Sequence, residues 1–87
     1  MKDRFVVHVP HTVQKAIRNV SLPWRNRIIA AIDALERDPF YGEKMMGRLA
    51  GKYKIRVWPY RIIYAIDKKK KIVVLLEVGH RGGISYK

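Results

Sequence analysis

The sequence has no cysteine, which excludes a disulfide scaffold and a thiolate zinc site. Acidic residues are scarce as well: 7 Asp and Glu against 19 Lys and Arg give a formal charge of +12. No apolar run approaches the roughly 18 residues of a membrane-spanning helix. The apolar stretch at residues 5–10 is too short for a secretory signal; the expected location is the cytoplasm. His8 and His11 lack a third ligand at metal-binding spacing, so neither a metal nor a cofactor is expected. The 87 residues suit one small domain spanning 1–87, with one core and no room for a deep private pocket.

What the chain does have is a hydrophobic fraction of 48%, enough for a folded core despite the charge. The charge is uneven. Residues 1–42 carry seven basic and four acidic side chains, net +3, and residues 43–87 carry twelve and three, net +9. Self-repulsion on that scale points to a polyanionic partner. A membrane surface would favour a basic amphipathic helix. The basic half reads as sheet, so nucleic acid or an acidic protein is the expected partner and a membrane is not.

Residues 4–9 alternate, with Phe5, Val7 and Val9 on one side, and predict a strand ended by Pro10. Val13, Ala16, Ile17 and Val20 then recur with helical period. Ser21 and Pro23 open a second helix carrying Trp24, Ile28, Ile32 and Leu35 on one stripe. Residues 40–51 have no clear period and read as an extended connector. Strands follow at 52–58 and 60–66, then a lysine-rich hairpin tip at 68–71. The nearly unbroken apolar run 72–78 predicts a central strand covered on both faces. The expectation is an α+β domain of order βααβββ, its helix pair packed on one face of a mostly antiparallel four-stranded sheet.

In the first strand of the basic half, Lys52, Lys54 and Arg56 alternate and project from one face. The next strand brings Arg61, and the end of the last delivers His80 and Arg81, with Tyr86 close behind. Cations converging on one sheet face, with Trp58 or Tyr86 available to stack a base, describe a groove for a phosphate backbone. The competing structural readings are a solvated strand face for Lys54 and Arg56, pairing of Arg61 with Asp67 or Glu77, and packing of the terminus by Tyr86.

These segments also carry a resemblance. Tyr53-Lys54-Ile55-Arg56-Val57-Trp58-Pro59-Tyr60-Arg61-Ile62-Ile63-Tyr64 resembles the core motif of the RelE/ParE superfamily of toxin–antitoxin toxins. Val78-Gly79-His80-Arg81 followed by Tyr86 is similar to that superfamily's closing segment, and Leu49-Ala50-Gly51 to its usual approach to the strand. Within the RelE branch, the resemblance implies an endoribonuclease, an mRNA interferase that cuts messenger RNA in the ribosomal A site and so inhibits translation. It implies an acidic RelB-like antitoxin as partner, in a complex able to bind operator DNA through the antitoxin. Lys54 and Arg56 would match the two catalytic basic residues of the strand, Arg61 and Arg81 the phosphate-binding arginines, and Tyr86 the tyrosine near the terminus. Joined to the basic-face reading, the expected catalytic set is Lys54, Arg61, Arg81 and Tyr86, with Arg56, His80, Lys52 and Trp58 contacting RNA. Arg56 stands where the best-known members have lysine, which argues against proton transfer there because arginine stays protonated. The alternative branch is a ParE-like toxin that inhibits DNA gyrase without nuclease chemistry.

Cleavage by 2′-OH attack needs removal of a proton, stabilisation of the phosphorane charge and protonation of the departing 5′-oxygen. Arg61 and Arg81 suit the second task as fixed bidentate donors. For the base, two candidates stay open. Lys54 sits among cations that disfavour its charged form, and His80 is the one side chain there whose charge normally changes near neutrality. Alignment of the substrate by the ribosome would supply the orientation that so small a site lacks.

Overall fold

The computed structural model describes residues 4–80. Arg81 and Tyr86, two of the expected site residues, lie outside them. Among the described residues two helices, α1 (His11–Arg18) and α2 (Leu22–Ala34), cover one face of a five-stranded sheet. The strands are β1 (Val6–His8), β2 (Glu43–Lys44), β3 (Lys52–Val57), β4 (Tyr60–Asp67) and β5 (Ile72–His80). Their order across the sheet is β1-β5-β4-β3-β2, with β1 parallel to β5 and every other pair antiparallel.

Each helix buries one stripe. On α1, Val13 and Ile17 are buried four residues apart and Val20 follows just beyond its end. Lys15 and Arg18 fill the last turn, where cations meet the negative end of the helix dipole. On α2, Ile28, Ile32 and Leu35 repeat at three to four residues and are buried. Pro23 lies in its first turn, where its missing N–H goes unneeded. The Arg25 Nε–H donates to the Val20 carbonyl at 3.2 Å and ties the start of α2 to the end of α1. Helix α1 lies over β5 and α2 over β3. Between them and the sheet sit Tyr64, Ile62, Val73 and Leu75, all fully buried. The ring of Tyr64 stacks on Tyr53 at 5.4 Å, and Phe40 meets Tyr53 edge-on at 6.2 Å.

Two expectations need correction. The sheet has five strands, not four, because Glu43–Lys44 pairs antiparallel with Tyr53 and Lys54 at the edge. Two charged residues have no hydrophobic period to read; backbone hydrogen bonding alone makes this strand. The run 72–78 is internal in the sheet but is not covered on both faces. Ile63 pairs with Glu77 and Tyr64 with Leu75, so Leu76 is an extra, unpaired residue at a bulge and is 41% exposed. The bulge resets the alternation, which lets both Leu75 and Val78 face the core. Gly51, immediately before β3, has φ +91, a conformation that other residues rarely adopt.

Candidate nucleic-acid interface

The face of β3 and β4 turned away from the helices is basic. Tyr53, Ile55 and Val57 pack into or against the core, so strand alternation puts Lys52, Lys54 and Arg56 on the other side. The register then places Lys52 beside Ala65, Lys54 beside Ile63 and Arg56 beside Arg61. Directly opposed residues in an antiparallel pair stand about 4.5–5.5 Å apart, and like charges there are destabilising. The Arg56–Arg61 pair therefore costs the fold something, and the row continues into Gly79 on β5, which adds no side chain beyond Arg61. Ile63 is only 4% exposed although it is on this outer face; its cross-strand neighbours are Lys54 and Glu77.

One carboxylate moderates the cluster. Glu43, on the edge strand β2, reaches Arg56 Nε at 3.3 Å with both side chains solvent-exposed. Sequence reasoning missed this residue because nothing in the connector announces a strand. Gly42 and Tyr64 hold it in place. The Tyr64 hydroxyl donates to the Pro39 carbonyl at 2.9 Å and accepts from the Gly42 N–H at 3.1 Å. Burial pushes the Tyr64 phenol up to about 12, partly offset by the Gly42 hydrogen bond. A Cβ on Gly42 would come within 2.9 Å of the Lys54 carbonyl oxygen and meet the Tyr64 hydroxyl; only glycine allows this approach.

At the β3–β4 turn, Trp58 is 67% exposed. Together with Arg56, Tyr60 and Arg61 it lines a shallow recess of about 120 Å³. Tyr60 was not singled out from sequence; its alternation assigns it to the helix side, where its ring is partly packed against the core. His80 pairs with Tyr60 and meets its ring edge-on at 5.5 Å. Strand alternation thus gives His80 the Tyr60 side of the sheet rather than the Lys54 side. The described part of the site consequently brings together Lys52, Lys54, Arg56 and Arg61 on one face, with Trp58 at its end. No group of three or more metal-ligating side chains occurs among the described residues, and no helix among them is long and apolar enough to cross a membrane.

A small sheet with two helices on one face and Lys52, Lys54, Arg56 and Arg61 on the other defines a compact α+β protein with a basic face. Comparison with known proteins supplies the family. Residues 6–84 match the family described as ParE toxin of type II toxin-antitoxin system, parDE, and the chain belongs to this family, within the RelE/ParE superfamily of toxins. Toxin RelG of Mycobacterium tuberculosis is 38% identical over 64 residues, covering 67% of this chain and 74% of that protein. Among solved structures, the RelBE2 toxin–antitoxin complex of M. tuberculosis has a chain that matches with TM-score 0.77 and 28% identity, covering 90% of this chain and 92% of that one. The archaeal RelE–RelB complex of Pyrococcus horikoshii matches at TM-score 0.76 and 25% identity, covering 93% and 99%. The intact RelBE complex of E. coli, at 18% identity and TM-score 0.75 over 87% of this chain and 95% of that one, shares the fold.

Proposed function

We propose that the protein is a ribosome-dependent endoribonuclease that cleaves messenger RNA and is silenced by an acidic antitoxin. The observation that carries this reading is the direct cross-strand register of Arg56 and Arg61, beside Lys54, on the sheet face turned away from the helices. A cluster of like charges in a sheet is costly until anions approach it; Glu43 is one such anion, at Arg56, and a single-stranded RNA backbone is another. The similarity to RelE-type toxins supports the same reading, as does the antitoxin partner named for two of them.

In this proposal the 2′-oxygen attacks the adjacent phosphorus and the bond to the 5′-oxygen breaks. The products are a 2′,3′-cyclic phosphate and a 5′-hydroxyl. Lys54 takes the 2′-OH proton, and water gives a proton to the departing 5′-oxygen as its bond to phosphorus breaks. Arg61 and Arg81 hold the nonbridging oxygens as negative charge develops, because guanidinium donors stay charged throughout. Arg56 grips a neighbouring phosphate, Tyr86 completes the catalytic set, and Lys52 extends the cationic track. A carboxylate-rich antitoxin segment would engage the same arginines and exclude RNA.

The test is primer extension on a defined messenger RNA with purified ribosomes. Wild-type protein should produce cuts within A-site codons, and a folded Arg61→Ala variant should lose them. The ParE-type family match favours a second reading, inhibition of DNA gyrase. Absence of RNA cuts by a folded, growth-arresting protein, with loss of supercoiling activity in a purified gyrase assay, would replace the first reading by the second.

A further inference from the structure

We propose that the recess between Arg56, Trp58, Tyr60 and Arg61 is a nucleobase subsite, in which the Trp58 indole stacks on one base of the RNA strand. This inference rests on the nuclease reading for its biological substrate, but its physical basis is separate. Trp58 is 67% exposed, and leaving an indole in water forfeits stabilisation at roughly 25 cal/mol per Å² of apolar surface. Other exposed aromatic rings have structural employment. Phe40 packs edge-on against Phe5 and Tyr53 beneath Lys68, and the Tyr41 hydroxyl donates to the Ala31 carbonyl. Trp58 makes no hydrogen bond or ring contact among the described residues.

Size and lining select the occupant. A volume of about 120 Å³ equals about four waters at roughly 30 Å³ each, and falls well below the roughly 300 Å³ minimum of an ordinary small-molecule pocket. It accommodates one flat heterocycle. Two guanidinium groups flank it, from residues directly opposed across β3 and β4, so a base entering the recess brings its own phosphate close to cationic side chains. Single-strand readers combine these same parts, a basic track and an aromatic platform. Purines rank first because stacking grows with ring area. The subsite makes Trp58 a specificity-determining residue: it sets which base can lie beside the phosphate that Arg61 holds.

The protein has two tryptophans, and Trp24 is on α2 with the Arg27 guanidinium 5.1 Å from its ring centre. A Trp24→Phe background therefore leaves Trp58 as the sole indole reporter. The probe is a 2′-O-methyl RNA oligonucleotide, which cannot undergo 2′-OH attack, carrying at one position adenine, uracil or an abasic sugar. Stacking predicts quenching of Trp58 emission by the adenine probe, weaker quenching by uracil and little by the abasic probe. Trp58→Ala should weaken binding of the adenine probe roughly 5- to 150-fold, the ratio equivalent to stacking of one base. It should leave abasic binding unchanged, and Trp58→Phe should restore part of the loss. Equal affinity of wild type and Trp58→Ala for the adenine probe overturns the subsite, as does equal quenching by the abasic probe or by an acidic peptide. On ribosomes, Trp58→Ala should redistribute the cut sites. Wild-type cleavage with an unchanged profile in the variant overturns the subsite and leaves the nuclease reading intact. Base-dependent quenching without any wild-type cleavage overturns the nuclease reading and leaves the subsite standing.

Discussion

Replacing Tyr64 by phenylalanine removes one oxygen atom from a fully buried ring and leaves the stack on Tyr53 unaltered. The loss is confined to two hydrogen bonds, donated to Pro39 O at 2.9 Å and accepted from Gly42 N at 3.1 Å. At about 1 kcal/mol net each, the cost is about 2 kcal/mol. A chain of 87 residues has a stability of only about 4–13 kcal/mol, so the midpoint of thermal unfolding should fall by roughly 8–16 °C. Urea unfolding followed by circular dichroism measures the difference at pH 7. The pH dependence adds an independent check. Folding raises this phenol from 10.0 to about 12. Below pH 10 it is protonated in both states and its contribution is complete. Between pH 10 and 12 the unfolded chain loses the proton first, so wild-type stability falls, by of order 2–3 kcal/mol for a shift of this size. Tyr64→Phe has no such proton to lose, and the stability gap between the two proteins should close over that interval. A loss under about 0.5 kcal/mol at pH 7, or a gap that stays constant to pH 12, would refute the reasoning.

Three further outcomes are expected. Leu75→Ala, at a fully buried position, should cost about 2–5 kcal/mol in urea unfolding through the cavity it leaves. Arg61→Ala and Lys54→Ala should each lower the slope of log affinity for single-stranded RNA against log salt by about 0.7, read by fluorescence anisotropy from roughly 50 to 200 mM salt; an unchanged slope removes that residue from the phosphate track. Glu43→Gln breaks an exposed ion pair with Arg56, so stability should change by less than about 1 kcal/mol. RNA affinity should rise, and unchanged or weaker binding in the same titration would show that the carboxylate does not compete with phosphate.

The helices and the long strands were legible because their signals are periodic. Val13 and Ile17, and Ile28 with Ile32 and Leu35, repeat as helix stripes, and Tyr53, Ile55 and Val57 alternate toward the core. That same alternation separated the core face of β3 from its Lys52, Lys54 and Arg56 face. What escaped is what hydrophobic period cannot encode. The strand Glu43–Lys44 exists through backbone pairing, and the ion pair to Arg56 follows from it. The bulge at Leu76 ends the apolar run 72–76, within which no polar residue marks the change of phase before Glu77. His80 was expected beside the arginines; its pairing opposite Tyr60 depends on that bulge, since one extra residue transfers everything after it to the other side of the sheet.

The distribution of stabilising contacts explains how so small a chain can carry an unfavourable cluster. Like charges face each other at Arg56 and Arg61, yet Ile62, fully buried on the opposite side of β4, follows directly after Arg61. Strand β3 is thus anchored through Tyr53, Ile55 and Val57 on one face and charged through Lys52, Lys54 and Arg56 on the other, while Ile62 and Tyr64 anchor β4 on the side opposite Arg61. The stabilisation of the apolar side, at about 1.5–3 kcal/mol per fully buried aliphatic side chain and summed over several such residues, exceeds the repulsion of about 4 kcal/mol expected between two neighbouring cations near a protein surface. The fold can consequently hold its basic face in position before any anionic partner arrives, rather than ordering it on binding. Cations held in register on a rigid sheet lose less conformational entropy on meeting a phosphate than the same side chains on a flexible tail. For the proposed nuclease site, with few candidate catalytic groups, that preorganisation is the main resource, and it resides in the buried half of the same two strands.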